Sequence, residues 1–132
     1  EEHKECIKIH IPSGEKLDLY KVKESLNKSK QKIKEYFKIE NAEYFCDSWL
    51  LSKQIRECVD EKSNIAQFYN LFNVVEKDDA LSDVLNYIFN LKECDNFNAL
   101  PQNTSLQRKV KEILINGGII KSGLGILKSL NV

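Results

Sequence analysis

Few residues of this sequence could perform acid–base or nucleophilic chemistry. Of the two histidines, His10 lies in an alternating segment on the side opposite three isoleucines, where a catalytic base or an exposed surface residue would both fit. No Ser-His-Asp spacing, H-E-x-x-H motif or P-loop is present. The four cysteines are scattered, without a C-x-x-C pair, at Cys6, Cys46, Cys58 and Cys94. We therefore expect no metal site and no disulfide framework, but reduced thiols in a cytoplasmic protein.

The composition is that of an ordinary globular domain. With 132 residues, of which 42% are hydrophobic and 30% charged, the chain predicts a single domain over residues 1–132. Twenty basic and twenty acidic residues cancel, so we expect neither nucleic acid nor a membrane as a partner. The chain starts with Glu-Glu and contains no methionine, from which we expect a piece of a longer protein.

The clearest local pattern lies towards the C-terminal end of the chain. Thr104 and Gln107 have the spacing of a capping box, which predicts that a helix begins there. The apolar residues of this helix recur at helical spacing, at Leu106, Val110, Ile113 and Leu114. The pair Gly117-Gly118 is expected to supply the left-handed residue that ends the helix. In the strand that follows, Gly123 and Gly125 predict a break or a bulge.

The first part of the chain predicts a strand, a long helix and a second strand. Residues 6–11 alternate in polarity, and Pro12-Ser13-Gly14 ends this strand. Asp18 predicts the N-cap of a helix that reaches about Lys38 and has one lysine-rich, solvated face. Residues 44–51, Y-F-C-D-S-W-L-L, predict the second strand. If the two strands are parallel, the helix between them is a right-handed crossover.

Shorter elements fill the middle of the chain. Ser52 and Ser63 each predict the cap of a short helix. Residues 71–75 fit the end of a helix or a strand, and we favour extended chain there. Asp79 predicts the start of a further helix with apolar residues at i, i+3, i+4 and i+7 spacing. The whole pattern predicts an α/β domain.

Five short strings carry a family resemblance. They are H-I-P-S-G at 10–14, C-D-S-W-L-L at 46–51, S-N-I-A-Q-F at 63–68, L-P-Q-N-T-S-L-Q-R at 100–108 and G-G-I-I-K-S-G-L-G at 117–125. In this order they span nearly the whole chain. Together they resemble the C-terminal domain of a bacterial acyltransferase family with a GNAT-like fold.

The resemblance implies an α/β (α+β) fold, with a GNAT-like mixed, partly antiparallel sheet flanked by helices. It also implies transfer of an acyl group from acyl-CoA or acetyl-CoA to an amine of a small-molecule substrate. In such proteins an N-terminal acyltransferase domain precedes this one, so that domain is implied as a partner. The polar, aromatic or glycine positions of the strings are the implied substrate- or cofactor-binding residues: Ser48, Trp49, Ser63, Asn64, Gln67, Arg108, Ser122 and Gly123. For the first six, helix capping and pairing with nearby charges is the simpler alternative.

The sequence departs from the wider superfamily at the CoA-binding loop. A typical Q/R-x-x-G-x-G/A loop binds the CoA pyrophosphate at a helix N-terminus. The nearest match here, residues 120–125, begins with Ile and predicts no helix after it. The reaction also needs a base and an acid, and the available side chains are His10, Tyr44, Asp47 and Tyr69.

Two functions therefore stay open. The first is an acyl-CoA-dependent N-acyltransferase domain that is inactive without its N-terminal half. The second is a non-catalytic GNAT-like module that binds a ligand or a partner. Basic residues that converge on a cleft between splayed strands would favour the first, and a closed sheet with a large exposed apolar patch would favour the second.

Overall fold

Strands and helices alternate along the described part of the chain, which comprises residues 6–11, 17–37 and 42–128 of a computed structural model. The strands are β1 Cys6–Lys8, β2 Glu43–Ser48, β3 Phe72–Asp79 and β4 Lys121–Leu127. The helices are α1 Leu19–Phe37, α2 Lys53–Cys58, α3 Asn64–Tyr69, α4 Leu81–Tyr87 and α5 Ser105–Ile115, with 3-10 turns at Trp49–Leu51 and Phe97–Ala99. The turn predicted at Pro12–Gly14 lies outside the described residues.

The four strands form one mixed sheet in the order β1-β2-β4-β3. β1 and β2 are parallel and are joined by α1, so the condition that the sequence analysis set for a β-helix-β crossover is met. β4 is antiparallel to both β2 and β3 and lies between them. The predicted mixed, partly antiparallel sheet with flanking helices is therefore confirmed.

Side-chain caps at the helix starts confirm several sequence predictions. The Asp18 carboxylate accepts a hydrogen bond from the amide two residues on, at 3.0 Å. The hydroxyls of Ser52 and Ser63 accept from the amide of the third residue of α2 and of α3, at 3.3 and 3.1 Å. Thr104 and Gln107 form the predicted capping box at the start of α5, with distances of 3.0 and 3.4 Å. Each cap satisfies an amide that the helix leaves without an internal partner.

β2 ends earlier than the sequence predicted. The expected strand reached Leu51, but the observed strand ends at Ser48. The Ser48 hydroxyl accepts a hydrogen bond from the Leu50 amide at 3.1 Å and thereby caps the Trp49–Leu51 turn. Trp49 consequently lies on a turn rather than on a strand.

β4 runs without interruption through both glycines, so the predicted break is wrong. A Cβ atom at Gly123 would lie 2.0 Å from the Leu51 carbonyl oxygen. A Cβ atom at Gly125 would lie 2.7 Å from Leu51 Cδ1 and 2.8 Å from Phe72 Cβ. The glycines therefore let the Trp49–Leu51 turn pack directly against the strand.

The irregularity of this strand pair lies on β3. The register with β4 shifts between Glu76 and Asp79, which places one extra residue on β3. Asp79 ends this strand and is not the N-cap of α4, which is Ala80. Its carboxylate still accepts from the Leu81 amide at 2.8 Å, so the predicted contribution to the helix start is present one residue early.

Two hydrophobic clusters fill the interior. The larger one joins α2, α4 and α5, and its buried members include Ile55, Val84, Leu85, Val110, Leu114 and Ile120. The smaller one lies between the sheet, α3 and the Trp49–Leu51 turn, and its buried members are Cys46, Leu50, Leu51, Phe68 and Phe72. Trp49 and Ile65 pack against both clusters.

Candidate functional site

The parallel strands β1 and β2 separate after a short ladder. The Ile9 amide donates to the Phe45 carbonyl at 2.7 Å. β1 itself ends at Lys8, short of the predicted Ile11, whereas β2 continues for three residues beyond Phe45. Since successive residues of a strand turn their backbone groups to opposite sides, Asp47 directs its N–H and C=O to the same side as Phe45. That is the side which β1 has left.

A cleft of about 540 Å³ opens between the separating chains. One wall is the chain that leaves β1, and the other is the end of β2 with its 3-10 turn. The lining residues are Lys8, Ile9, His10, Ile11, Leu17, Cys46, Asp47, Ser48, Trp49, Leu50, Ile65, Asp83 and Tyr87. The volume is within the range of sites for small molecules and cofactors.

Aromatic rings form one part of the cleft. The rings of Trp49 and Tyr87 stack, with centroids 5.8 Å apart and planes inclined by 11°. Tyr87 is 46% exposed, so the stack is open to solvent on one side. Ile65 lines the cleft beside them. This surface suits a flat or aliphatic ligand group.

The titratable groups of the cleft differ in what they can do. Lys77, from β3, forms an ion pair with Asp47 at 2.5 Å, and this hydrogen bond and the carboxylate charge raise the pKa of Lys77. Burial, together with the charge of Asp47, raises the pKa of the Cys46 thiol to about 11. Cys46 is therefore protonated at neutral pH and is a poor nucleophile. The other ionisable groups that line the cleft are the exposed Lys8 and His10, the carboxylates of Asp47 and Asp83, and the phenol of Tyr87.

A family model confirms the resemblance that the sequence strings suggested. The model of the GNAT-like C-terminal domain matches residues 1–127. The chain belongs to this family.

Solved acyltransferase structures superpose on this GNAT-like domain. One, in complex with decanoyl-CoA, has a TM-score of 0.77 at 22% identity, over 92% of this chain and 39% of that chain. Another, in complex with decanoyl-CoA and teicoplanin, has a TM-score of 0.72 at 26% identity, over 92% and 40%. A mutant acyltransferase in complex with octanoyl-CoA has a TM-score of 0.72 at 25% identity, over 92% and 40%. The chain thus spans about 40% of the length of these proteins. A search of proteins with curated functions gives no match.

Ser48 and Trp49 are the predicted ligand-binding residues that line the cleft of the GNAT-like domain. Ser63 caps α3, and its neighbour Asn64 donates from Nδ2 to the carbonyl of Leu17, a cleft residue, at 2.8 Å. Asn64 therefore ties α3 to the chain that enters α1, at the edge of the cleft.

The other predicted ligand-binding residues make contacts elsewhere. Gln67 donates from Nε2 to the Lys62 carbonyl at 2.8 Å, and Arg108 donates to the Gln102 carbonyl at 3.3 Å. The list is completed by Ser122, which donates to the Asp78 carbonyl at 3.3 Å, and by Gly123, which is buried against Leu51. Gly123 is the cross-strand partner of Ser48 in the β2–β4 pair but does not line the cleft, and neither do Gln67, Arg108 and Ser122.

The four acid–base candidates also divide into two groups. His10 and Asp47 line the cleft. The hydroxyl of the buried Tyr44 instead lies 3.3 Å from Ser29 Oγ on α1, and Tyr69 packs against the smaller cluster. Neither Tyr44 nor Tyr69 lines the cleft.

Several cleft residues carry no signal that would have marked them in the sequence. Leu17 precedes α1, whereas Asp83 and Tyr87 lie on α4, so they line one cleft only through the packing of distant segments around the sheet. A serine before an apolar turn, as at Ser48, could have indicated the end of β2.

Two further observations concern metal and membrane. Within residues 6–11, 17–37 and 42–128, no group of three or more His, Cys, Asp or Glu side chains could hold a metal ion. Among the helices that the structure describes, none is both long enough and apolar enough to span a bilayer.

Proposed function

We propose that this domain binds the acyl donor of an acyl-CoA-dependent N-acyltransferase and requires a second domain for catalysis. The observation that supports the proposal is the separation of β1 and β2 beside a cleft with an aromatic wall. Membership of the GNAT-like C-terminal family and the acyl-CoA complexes of similar acyltransferases agree with it.

The cleft matches the two chemical parts of an acyl-pantetheine arm. The arm contains amide groups. The N–H and C=O of Asp47 face the gap beside β2, where the extended arm could form hydrogen bonds with them as an added strand would. The acyl chain is aliphatic, and the Trp49–Tyr87 stack with Ile65 offers it an apolar surface. The decanoyl and octanoyl groups in the similar structures are of the kind that such a surface would hold.

This chain lacks the loop with which the wider superfamily binds the pyrophosphate of CoA. The nearest match to the pyrophosphate loop, residues 120–125, lies largely inside β4. Gly123 and Gly125 there pack against Leu51 and Phe72, so their surroundings leave no space for phosphate groups. We therefore expect this chain alone to bind acyl-CoA weakly.

Acyl transfer needs more than a donor site. The attacking amine must lose a proton as its nitrogen bonds to the thioester carbonyl carbon, and the departing CoA thiolate must gain one. We propose His10 as the group that accepts the amine proton, because its imidazole is exposed at the cleft. The Asp47 carboxylate is held by Lys77. We assign the acceptor site and the acid that protonates the thiolate to the second domain.

Calorimetric titration of acetyl-, octanoyl- and decanoyl-CoA tests the donor site. We expect weak, saturable binding to this chain that strengthens with acyl length, since each buried CH₂ group contributes about 0.8 kcal/mol. Trp49 is the single tryptophan of the chain, so quenching of its fluorescence should follow the same curve.

A matched pair of variants localises the binding. Tyr87→Ala removes one ring of the cleft stack, whereas Tyr36→Ala removes a 75% exposed ring on α1. Loss of an aromatic contact of about 1 kcal/mol should weaken decanoyl-CoA binding roughly fivefold for Tyr87→Ala and leave Tyr36→Ala unchanged. If no acyl-CoA binds at millimolar concentration, or both variants bind like the parent, the donor-site proposal is wrong.

The second candidate is a non-catalytic module that binds a partner. One observation favours it, namely that Val75 and Ile126 of the sheet are 62% and 37% exposed. Absence of acyl-CoA binding both to this chain and to the natural polypeptide that carries it would favour this candidate.

A further inference from the structure

The sheet has a second face that the helices leave open. By the strand register, Phe45 lies opposite Ile126, and Leu124 lies between Asp47 and Val75. Residues opposite one another in neighbouring strands share a face of the sheet. Four apolar side chains from three strands, Phe45, Leu124, Ile126 and Val75, are therefore neighbours, and we call them the open-face cluster.

The other face of the same strands is the covered one. Cys46, which is 1% exposed, lies opposite Gly125, and both face the smaller hydrophobic cluster. Tyr44, on the same side as Cys46, is held to α1 through its hydroxyl. The helices that pack against the sheet through this cluster, α1 and α3, thus lie on the covered face.

The open-face cluster is most exposed towards the edge strand β3 and is bordered by polar residues. Val75 is 62% and Ile126 is 37% exposed, while Phe45 and Leu124 are half-buried. By register, Lys8 lies beside Phe45 and Asn73 beside Ile126, and the Asp47–Lys77 ion pair borders Leu124. An antiparallel sheet face that remains in water normally carries polar residues. An apolar centre inside a polar margin is instead the composition of a protein interface.

We propose that the open-face cluster is the surface against which a second domain of the same polypeptide docks. The matched acyltransferase chains extend well beyond the GNAT-like domain, with about three fifths of their length outside the match. A domain attached to the same chain reaches this face at high effective concentration, so docking needs no strong intrinsic affinity. The inference rests on the proposed two-domain organisation and adds to it the face that is used.

The ion pair at the margin adds no net charge to the face. Asp47 and Lys77 neutralise each other beside Leu124, and the members of the open-face cluster are themselves uncharged. Burial of the open-face cluster would therefore be driven by its apolar area.

Cysteine labelling in the natural polypeptide that carries this sequence tests the proposal. Val75→Cys places a thiol at the most exposed member of the open-face cluster, on the edge strand β3. Tyr36→Cys places one on α1, which lies on the covered side, and the two parent side chains are 62% and 75% exposed. Alkylation is followed by peptide mass spectrometry, so that the natural cysteines are read separately, and each rate is divided by the rate in urea. We expect the normalised rate at Val75→Cys to be at least about tenfold lower than at Tyr36→Cys.

Each outcome of this experiment decides the proposal. Protection that is independent of protein concentration supports docking of a domain of the same chain. Equal rates at the two positions refute it, and protection that disappears on dilution assigns the face to a second copy and also refutes it. Ile126→Cys provides a second probe if Val75→Cys does not fold. Acyl-CoA titration of the same variants separates the two proposals. If the thiol is protected but no acyl-CoA binds, the docking proposal holds and the donor-site proposal is wrong.

Discussion

Replacement of Gly123 by alanine should destabilise the domain more than replacement of Gly125 or Gly117. The added methyl at Gly123 would lie 2.0 Å from the Leu51 carbonyl oxygen and 2.8 Å from its carbonyl carbon. These are backbone atoms of a fully buried residue, so they cannot rotate away. At Gly125 the nearest atom is Leu51 Cδ1, at 2.7 Å, which is the flexible end of a side chain. A Cβ atom added at Gly117 would have no heavy atom within 4 Å apart from its chain neighbours, although the φ of 84° is unfavourable for alanine.

The expected costs follow from these contacts. Overpacking of a core typically costs about 1–3 kcal/mol, and contact with a fixed backbone places Gly123→Ala at about 3 kcal/mol. Alanine also lowers the conformational entropy of the unfolded chain, which stabilises the protein by about 0.4–1 kcal/mol. The net loss of unfolding free energy for Gly123→Ala is therefore roughly 2 kcal/mol. Gly125→Ala should lose about 1.5 kcal/mol, because Leu51 Cδ1 can move away by a rotamer change but Phe72 Cβ, at 2.8 Å, is fixed by its backbone. Gly117→Ala should lose about 1 kcal/mol through its left-handed backbone alone.

Urea unfolding measures these differences. The transition is followed by circular dichroism and by the fluorescence of Trp49, which lies in the turn that Gly123 supports. Displacement of this turn should also shift the native emission of Trp49 in Gly123→Ala but not in Gly117→Ala. A Gly123→Ala protein within about 0.5 kcal/mol of the parent, with unchanged emission, would show that the turn is not held against β4 as described.

The remaining predictions concern a cap, a thiol and turnover. Thr104→Ala should lose about 1 kcal/mol of unfolding free energy, because the hydroxyl caps α5. The control Ser105→Ala, at the exposed first position of α5, should lose little. A Thr104→Ala protein that unfolds like the parent but binds no ligand would instead make Thr104 a binding residue. The pKa of Cys46 is raised from 9.0 to about 11, so its contribution to stability should be fully present below pH 9 and be lost, by about 2 kcal/mol, between pH 9 and 11. The parent should therefore lose about 2 kcal/mol more than Cys46→Ala over this interval, and an equal loss in the two proteins would contradict this. The 132-residue chain alone should not acylate amines, because each missing preorganised hydrogen-bond donor lowers the catalytic rate by about a hundredfold or more. Amine-dependent turnover of acetyl-CoA above the rate of spontaneous hydrolysis would disprove this.

The features that the sequence predicted well are those that depend on adjacent residues. A helix cap is a hydrogen bond between a side chain and an amide two or three positions away, so Asp18, Ser52, Ser63 and Thr104 could be identified from their neighbours alone. The order strand, long helix, strand was also predicted from local patterns, whereas the parallel pairing of β1 and β2 was left open by the sequence and is given by the structure. The family strings added the mixed sheet.

The features that the sequence predicted poorly depend on contacts across the chain. Gly123 and Gly125 suggest a broken strand when read locally, but their role is to admit Leu51 from a distant turn. Likewise, the sequence around Tyr87 does not indicate its role, because the stack with Trp49 depends on the packing of α4 beside a distant turn. Ser48 and Trp49 line the cleft because β2 ends there, and that boundary depends on a single hydroxyl.

The position of β4 also governs the order in which the domain can assemble. β4 follows β1, β2 and β3 in sequence but pairs with both β2 and β3, which do not pair with each other. During synthesis on the ribosome, the β1–β2 pair can form early, but β2 and β3 each keep an unpaired edge until β4 has emerged from the exit tunnel. The helices of the larger cluster gain Ile120 at nearly the same moment. The sheet therefore closes late and from its centre, and the nascent chain depends on protection of two strand edges until then.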